Sequence, residues 1–259
     1  MMIQKKTLGM GCLACALLLG SCTTHYQMTG IERTRQLIDS RYDAQPYARA
    51  VEFMKPYKHV VDSMMGPVVG QVARYMAAKR PESELSNLLA DVLVWAGDKY
   101  GEKPDFGLYN MGGIRAALAK GNVTYGDVLD VAPFENKICF CTLTGEKLME
   151  LFRQIASTGG EALSQEVKLV INTQGELLSA KLHGQEIDPK ASYRIATIDY
   201  VSQGNDKMEA FKDKTDLNSP QDVSNNLRFI IMDFFREQMA KGIVVDREVE
   251  GRITVKDEG

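Results

Sequence analysis

The sequence predicts a mixed fold, α/β or α+β with a mixed sheet, on three observations. Apolar residues recur at helical spacing in two segments: Leu85, Leu88, Leu89, Val92, Trp95 and Ala96 in one, Leu227, Ile230, Ile231, Phe234, Phe235 and Met239 in the other. Between them, "VKLVIN", "LLSAKLHG" and "YRIATI" are short β-rich runs separated by the turn stretches "TQGE" and "GQEIDPKA". The two kinds of element are interspersed without strict strand-helix-strand alternation.

Taken in order, the N-terminus reads as a leader. Lys5 and Lys6 precede an apolar run from Leu8 to Leu19 that closes in Leu19-Gly20-Ser21-Cys22. That run is shorter than the ~20 residues a spanning helix needs. Small residues before a cysteine suit a peptidase that cuts after lipid is attached to the thiol. Residues 1–21 are therefore expected to be a lipoprotein signal peptide, with Cys22 the lipidated start of the mature chain. Acyl chains at ~0.8 kcal/mol per buried CH₂ would hold the chain on a membrane of a bacterial cell envelope, facing the periplasm or the outer surface. Residues 22–45 are polar without a clear apolar face and read as the tether, and residues 46–259 as one folded domain.

Pro46 opens a helical stretch, "PYARAVEFMKPYKHVVDSMM", which Pro56 is expected to end or kink. "GPVVGQVARYM" reads as a strand, and Ser83 is the expected N-cap of the helix in "ESELSNLLADVLVWAGDKYG". "DFGLYN" is a short strand leading into a Gly112-Gly113 turn. A short helix is expected from Ile114, another from Thr124 to Leu129, a strand from Lys137 to Leu143, and a helix capped by Thr144. The last helix is expected to take Ser219 as N-cap, Pro220 at the first helical position and Asp222 at the third, and to run to Gly242. "EGRITVK" closes the chain as a strand.

Composition removes several function classes. Loss of Lys5 and Lys6 with the leader takes the formal net charge from −3 to −5, so nucleic acid is not an expected partner. Of the five cysteines, Cys12 and Cys15 leave with the leader and Cys22 takes lipid. Cys139 and Cys141 sit two apart on one strand, roughly 6.6 Å from each other with parallel side chains, a poor disulfide geometry, and are expected to be buried free thiols. His25, His59 and His183 have no Asp or Glu at a spacing that suggests a shared metal, so no metal or other cofactor is expected in this chain. No Gly-x-Ser-x-Gly elbow, no phosphate-binding Gly-x-x-x-x-Gly-Lys loop and no Gly-x-Gly-x-x-Gly fingerprint occurs.

One stretch does carry a ligand-gripping pattern. Tyr109 to Lys137 reads "N-x-G-G-I-R", then "G-N-V-T-Y-G-D-V", then "P-F-E-N". Around it stand Asn87, Leu88 and Asp91 in "SNLLADVL", the helix start "LTGEKLMELF" and the loop "IDYVSQGNDKMEAF". In this order and at these intervals, from about Tyr47 to Val255, the motifs resemble the C-terminal domain of the 5′-nucleotidase family. The resemblance implies a layered fold with helices packed on mixed sheets, and a domain that grips the nucleoside part of a nucleotide.

The resemblance assigns roles by position. Phe134 and Tyr200 fall where two aromatics sandwich the base, a contact worth ~1–3 kcal/mol per base. Asp206 falls where a carboxylate accepts from ribose hydroxyls, Arg115 where an arginine points into the same pocket, Asn110 where the base edge is read, and Asn136 at a base-side position of bacterial members. Gly112 and Gly113 let backbone N–H groups approach a ligand closely. Two departures stand out: the family's Gly-Gly-Asp-Gly is Gly204-Asn205-Asp206-Lys207, and Tyr replaces the usual Phe at 200. Lys79 or Arg80 stands for an arginine that the family places before the Asn87 helix. Family enzymes carry two metals in an N-terminal metallophosphatase domain. Here a separate metallophosphatase chain is the expected partner, supplying the divalent metals and acting with this lipoprotein in hydrolysis of nucleoside 5′-phosphates. The alternative is a nucleoside- or nucleotide-binding lipoprotein for scavenging or sensing.

Overall fold

A computed structural model of the chain describes residues 28–37, 39–44 and 46–257. The expected leader and the lipid site at Cys22 lie outside the described residues. The chain divides into two units, one ending at Glu52 and one starting at Phe53. In the first, a 3-10 turn, Ser40–Tyr42, is capped by the Asp39 carboxylate, which accepts the Arg41 N–H at 3.1 Å.

Helix α1 (Ala48–Met65) buries no side chain. It runs through Pro56 without ending, because the hydrogen bond that proline forgoes lies on an exposed helix where water can replace it. Among the described residues no helix is long and apolar enough to cross a membrane.

The second unit continues with β1 (Val68–Val72), α2 (Glu84–Trp95), β2 (Phe106–Tyr109), β3 (Gly121–Thr124) and α3 (Tyr125–Val131). Then come β4 (Ile138–Thr144), α4 (Gly145–Ser157), β5 (Ala162–Leu163), β6 (Val167–Asn172), β7 (Leu177–Leu182), β8 (Gln185–Glu186) and β9 (Ser192–Ile198). The chain closes with α5 (Asp199–Ser202), β10 (Thr215–Asn218), α6 (Leu227–Ala240) and β11 (Ile253–Lys256). The strands form a pair, β1-β3, a five-stranded sheet in the order β10-β4-β9-β2-β5, and a four-stranded sheet in the order β11-β6-β7-β8. β2 and β9 run parallel, as do β11 and β6, and the other pairs are antiparallel, so the sheets are mixed as predicted.

Local signals explain three of the helix starts. Ser83 and Ser86 form a reciprocal capping box at the head of α2, Thr124 and Asp127 do the same for α3, and Thr144 caps α4. The apolar stripe of α2 lies against β2, whose four residues are all buried. A Cβ at Gly107 would collide with the carbonyl oxygen of Ala90, so this approach of helix to strand requires glycine. Cys139 and Cys141 are buried free thiols in β4, and burial pushes both up to about 12.

The Asn87 and Asp91 motif is a clasp for the C-terminus. Arg252 is 1% exposed and pairs with Asp91 through two contacts of 2.7 and 3.0 Å, while donating to the Leu163 carbonyl at 2.9 Å. Glu82 accepts the backbone N–H groups of Glu250 and Arg252 and the side-chain amide of Asn87. A buried guanidinium matched this completely ties β11 to α2.

Two helical expectations are corrected. No helix starts at Ile114, which is extended; the helical turn there is a 3-10 turn one step earlier, Met111–Gly113. Long-range bonds claim the groups a helix would need: Arg115 N–H donates to the Val131 carbonyl, and Leu118 exchanges two hydrogen bonds with Met76. Likewise Ser219 does not cap the last helix. Its hydroxyl and carbonyl accept from the Gln221 side chain, and α6 begins eight residues later, where Leu227 N–H donates to the Asn136 carbonyl at 2.9 Å.

Candidate functional site

Sheet topology decides where the motif residues meet. Parallel β2 and β9 end on the same edge of the five-stranded sheet, delivering Asn110 from one and Tyr200 from the other. Antiparallel β4 starts on that edge, with Ile138 opposite Ile198, so Phe134 and Asn136 arrive there just before it. Ligands commonly bind beyond the carboxyl ends of parallel strands. Here that edge carries a cleft of about 240 Å³ lined by Asn110, Gly112, Gly113, Phe134, Asn136, Tyr200 and Asp206.

Seven of the eight pocket residues singled out in the sequence thus line one cavity. The two rings are turned outward, Phe134 at 47% and Tyr200 at 38% exposure, so neither serves as core packing. Support for them comes from behind: Arg228 at the head of α6 donates to the Pro133 carbonyl at 2.9 Å, and the Asn205 side chain donates to the Tyr200 carbonyl at 2.8 Å.

Asp206 joins the two sides. Its Oδ2 accepts from Asn110 Nδ2 at 2.6 Å and its Oδ1 from the Tyr200 hydroxyl at 3.0 Å. The hydrogen bond to Asp206 raises the Tyr200 phenol above its ordinary value. Gly204, Asp206 and Lys207 take positive φ of 89°, 54° and 65°. The position in this loop that most wants glycine is therefore Lys207, while Asn205 fits without left-handed backbone and adds the bond to Tyr200.

The two glycines of the turn differ. A Cβ at Gly113 would lie 2.6 Å from the Tyr109 hydroxyl and 2.8 Å from Asn110 Oδ1, whereas one at Gly112 would find nothing nearer than 3.6 Å. Only Gly113 is required by packing.

Arg115 is not brought into the cleft. Its guanidinium donates to the Gly112 carbonyl at 3.3 Å, and its side chain lines a neighbouring hollow of about 270 Å³ with Ala77, Ala78 and Ile114. The extended backbone at Ile114 and the bond from Arg115 N–H to Val131 set that direction.

Sequence reasoning missed Glu161. Its carboxylate is 2% exposed, accepts the Met111 N–H in the turn below Asn110, and pairs with Arg80, whose Nε donates to the Gly160 carbonyl at 2.7 Å. Burial raises the Glu161 carboxyl above the usual range, and the Met111 amide and Arg80 act against that rise. Arg80 thus props the turn from behind and does not line the cleft. The one available signal was a glutamate wedged between a glycine pair and a β-rich run, in "STGGEAL". Among the described residues, no group of three or more His, Cys, Asp or Glu side chains is placed to hold a metal ion.

The 5′-nucleotidase C-terminal domain family matches residues 68–213, which include every residue of the cleft. The chain is similar to the trifunctional nucleotide phosphoesterase protein YfkN of Bacillus subtilis, 30% identical over 237 residues, covering 83% of this chain and 16% of that one. It is similar to protein UshA of Salmonella pullorum, 31% identical over 106 residues, covering 39% of this chain and 19% of the relative. Among solved structures, a 5′-nucleotidase precursor from Thermus thermophilus aligns at TM-score 0.70 and 25% identity, over 82% of this chain and 44% of its own. The Haemophilus influenzae NAD nucleotidase, at TM-score 0.59 and 16% identity over 85% of this chain and 44% of its own, shares the fold. This chain spans less than a fifth of the length of these two sequence relatives.

Proposed function

The chain belongs to the 5′-nucleotidase C-terminal domain family, and from that premise we propose that its cleft holds the nucleoside part of a nucleotide for hydrolysis by a separate metallophosphatase chain. Relationship to nucleotidases supports nucleotide binding. The observation that carries the reading is the convergence of two outward rings, Phe134 and Tyr200, with the Asp206 carboxylate on one cleft. The faces stack a heterocycle, Asp206 accepts from the sugar, and Asn110 and Asn136 face its surroundings with amide groups. Divalent metals would be held by the partner chain, where they would supply the water activation needed to split the ester into nucleoside and phosphate. In this reading Cys22 carries lipid and keeps the assembly on the bacterial envelope, facing the periplasm or the outer surface.

The test is calorimetry of the full chain with AMP and adenosine, joined to a pull-down from native membranes assayed for phosphate release. Binding of both ligands, no phosphate release by the isolated chain with added metal, and release by the eluate support the proposal. Tight adenosine binding with no phosphatase in the eluate replaces it with a scavenging or sensing role. Absence of nucleoside binding ends both.

A further inference from the structure

Resting on the nucleoside-binding reading, we infer that the Tyr200 hydroxyl sets the sugar specificity of this pocket by occupying the carboxylate oxygen that a ribose diol would need. The ring of Tyr200 and its hydroxyl do separate jobs. A phenylalanine at 200 would offer the same face, so the oxygen is an addition that stacking does not require. It is spent on Asp206, six residues along the chain, at 3.0 Å.

The other carboxylate oxygen also carries an internal donor, leaving each oxygen one further lone pair. Asn110 Nδ2 donates to Oδ2 at 2.6 Å, and the amide cannot be turned over without placing its carbonyl oxygen against the carboxylate. Asn110 is 4% exposed, so this donor does not trade places with water. Each oxygen of Asp206 therefore holds an internal donor before any ligand arrives. A vicinal diol binds a carboxylate best by donating one hydroxyl to each oxygen. Here the second hydroxyl must share Oδ1 with Tyr200 or displace it. Either way the 2′-hydroxyl adds less than it would beside a free carboxylate, and a 2′-deoxyribose, which asks for one acceptor, loses little. The loop geometry keeps the bond in place: Asp206 sits at φ 54°, and Asn205 clamps the Tyr200 carbonyl at 2.8 Å, fixing both ends.

The pocket is thus built to accept ribonucleosides and 2′-deoxyribonucleosides alike. Titrating the full chain with adenosine and with 2′-deoxyadenosine, as wild type and as Tyr200→Phe, tests this. Wild type is expected to bind the two within about fivefold of each other. In Tyr200→Phe adenosine should tighten while 2′-deoxyadenosine stays level, widening the ratio about tenfold, the scale of one hydrogen bond to a charged group. Asp206→Ala supplies a second reading, because it should cost adenosine more affinity in the Tyr200→Phe background than in wild type. A ratio that does not widen, in a variant that still binds both ligands and melts like wild type, overturns the inference and leaves nucleoside binding standing. A wild type that already prefers adenosine by a hundredfold overturns it too. Failure of wild type to bind either ligand removes the nucleoside reading itself, and the inference with it.

Discussion

Adjacent glycines offer a sharp test of the site geometry, because a methyl group at Gly113 and one at Gly112 should behave oppositely. At Gly113 the added Cβ would stand 2.6 Å from the Tyr109 hydroxyl, 2.8 Å from Tyr109 Cζ and 2.8 Å from Asn110 Oδ1. Normal carbon–oxygen contact is on the order of 3.3 Å or more, and Tyr109 is 1% exposed and has nowhere to withdraw. The turn must shift, at the ~1–3 kcal/mol typical of overpacking. It would carry Asn110 away from Asp206, to which it is bonded at 2.6 Å. At Gly112 the nearest atoms are 3.6 and 3.8 Å away, ordinary contact, and the cost should stay within ~0.5 kcal/mol. Thermal unfolding then separates the variants: Gly113→Ala should lower Tm by roughly 2–12 °C, at ~2–4 °C per kcal/mol for a domain of this size. Gly112→Ala should melt with wild type. Adenosine binding should weaken in Gly113→Ala for the same reason. Equal melting temperatures, or a larger fall in Gly112→Ala, would refute the packing argument.

Other consequences can be measured alongside. Asp91→Ala leaves the Arg252 guanidinium buried without its main partner and should cost about 3–5 kcal/mol in urea unfolding, far more than loss of the exposed Lys58–Asp62 pair. Lys207→Gly relieves a left-handed lysine at φ 65°; set against the greater freedom of glycine in the unfolded chain, it should gain about 0.5–1 kcal/mol, read as a higher urea midpoint. Glu161 yields a pH signature: burial raises its folded pKa, so above the ordinary 4.5 the native state still holds a proton that the unfolded chain has released. Its contribution to stability is full below that value and lost as pH rises through the folded pKa. Urea unfolding of wild type and Glu161→Gln across this range should show wild type losing stability relative to the variant as pH rises; a constant difference would dismiss the buried-carboxyl argument.

Much of the fold was legible because it is local. The stripes of α2 and α6, the cap residues Ser83 and Thr144, and the β-rich runs that became β6, β7 and β9 are short-range signals that folding left intact. Where local signals misled, a distant partner had claimed the backbone. Val131 and Met76 took the groups a helix from Ile114 would have used, and the Asn136 carbonyl set the start of α6. Pro220 at the head of a predicted helix is a sound local signal, yet the segment around it serves the edge strand β10 and the turn Val223–Asn225 instead.

By itself the sequence determined which residue types the ordered motifs offer: two aromatics, a carboxylate, amides and a glycine turn. Tertiary structure alone decided which of them meet. The parallel alignment of β2 with β9 carries Asn110 across 96 positions to Asp206, the bond from Arg115 N–H to Val131 turns Arg115 into the next hollow, and the pairing of β5 with β2 sets Glu161 beneath the turn. Hydrogen bonds and steric contacts act through space over a few ångströms, and sheet pairing, not spacing along the chain, determines who lies within that reach.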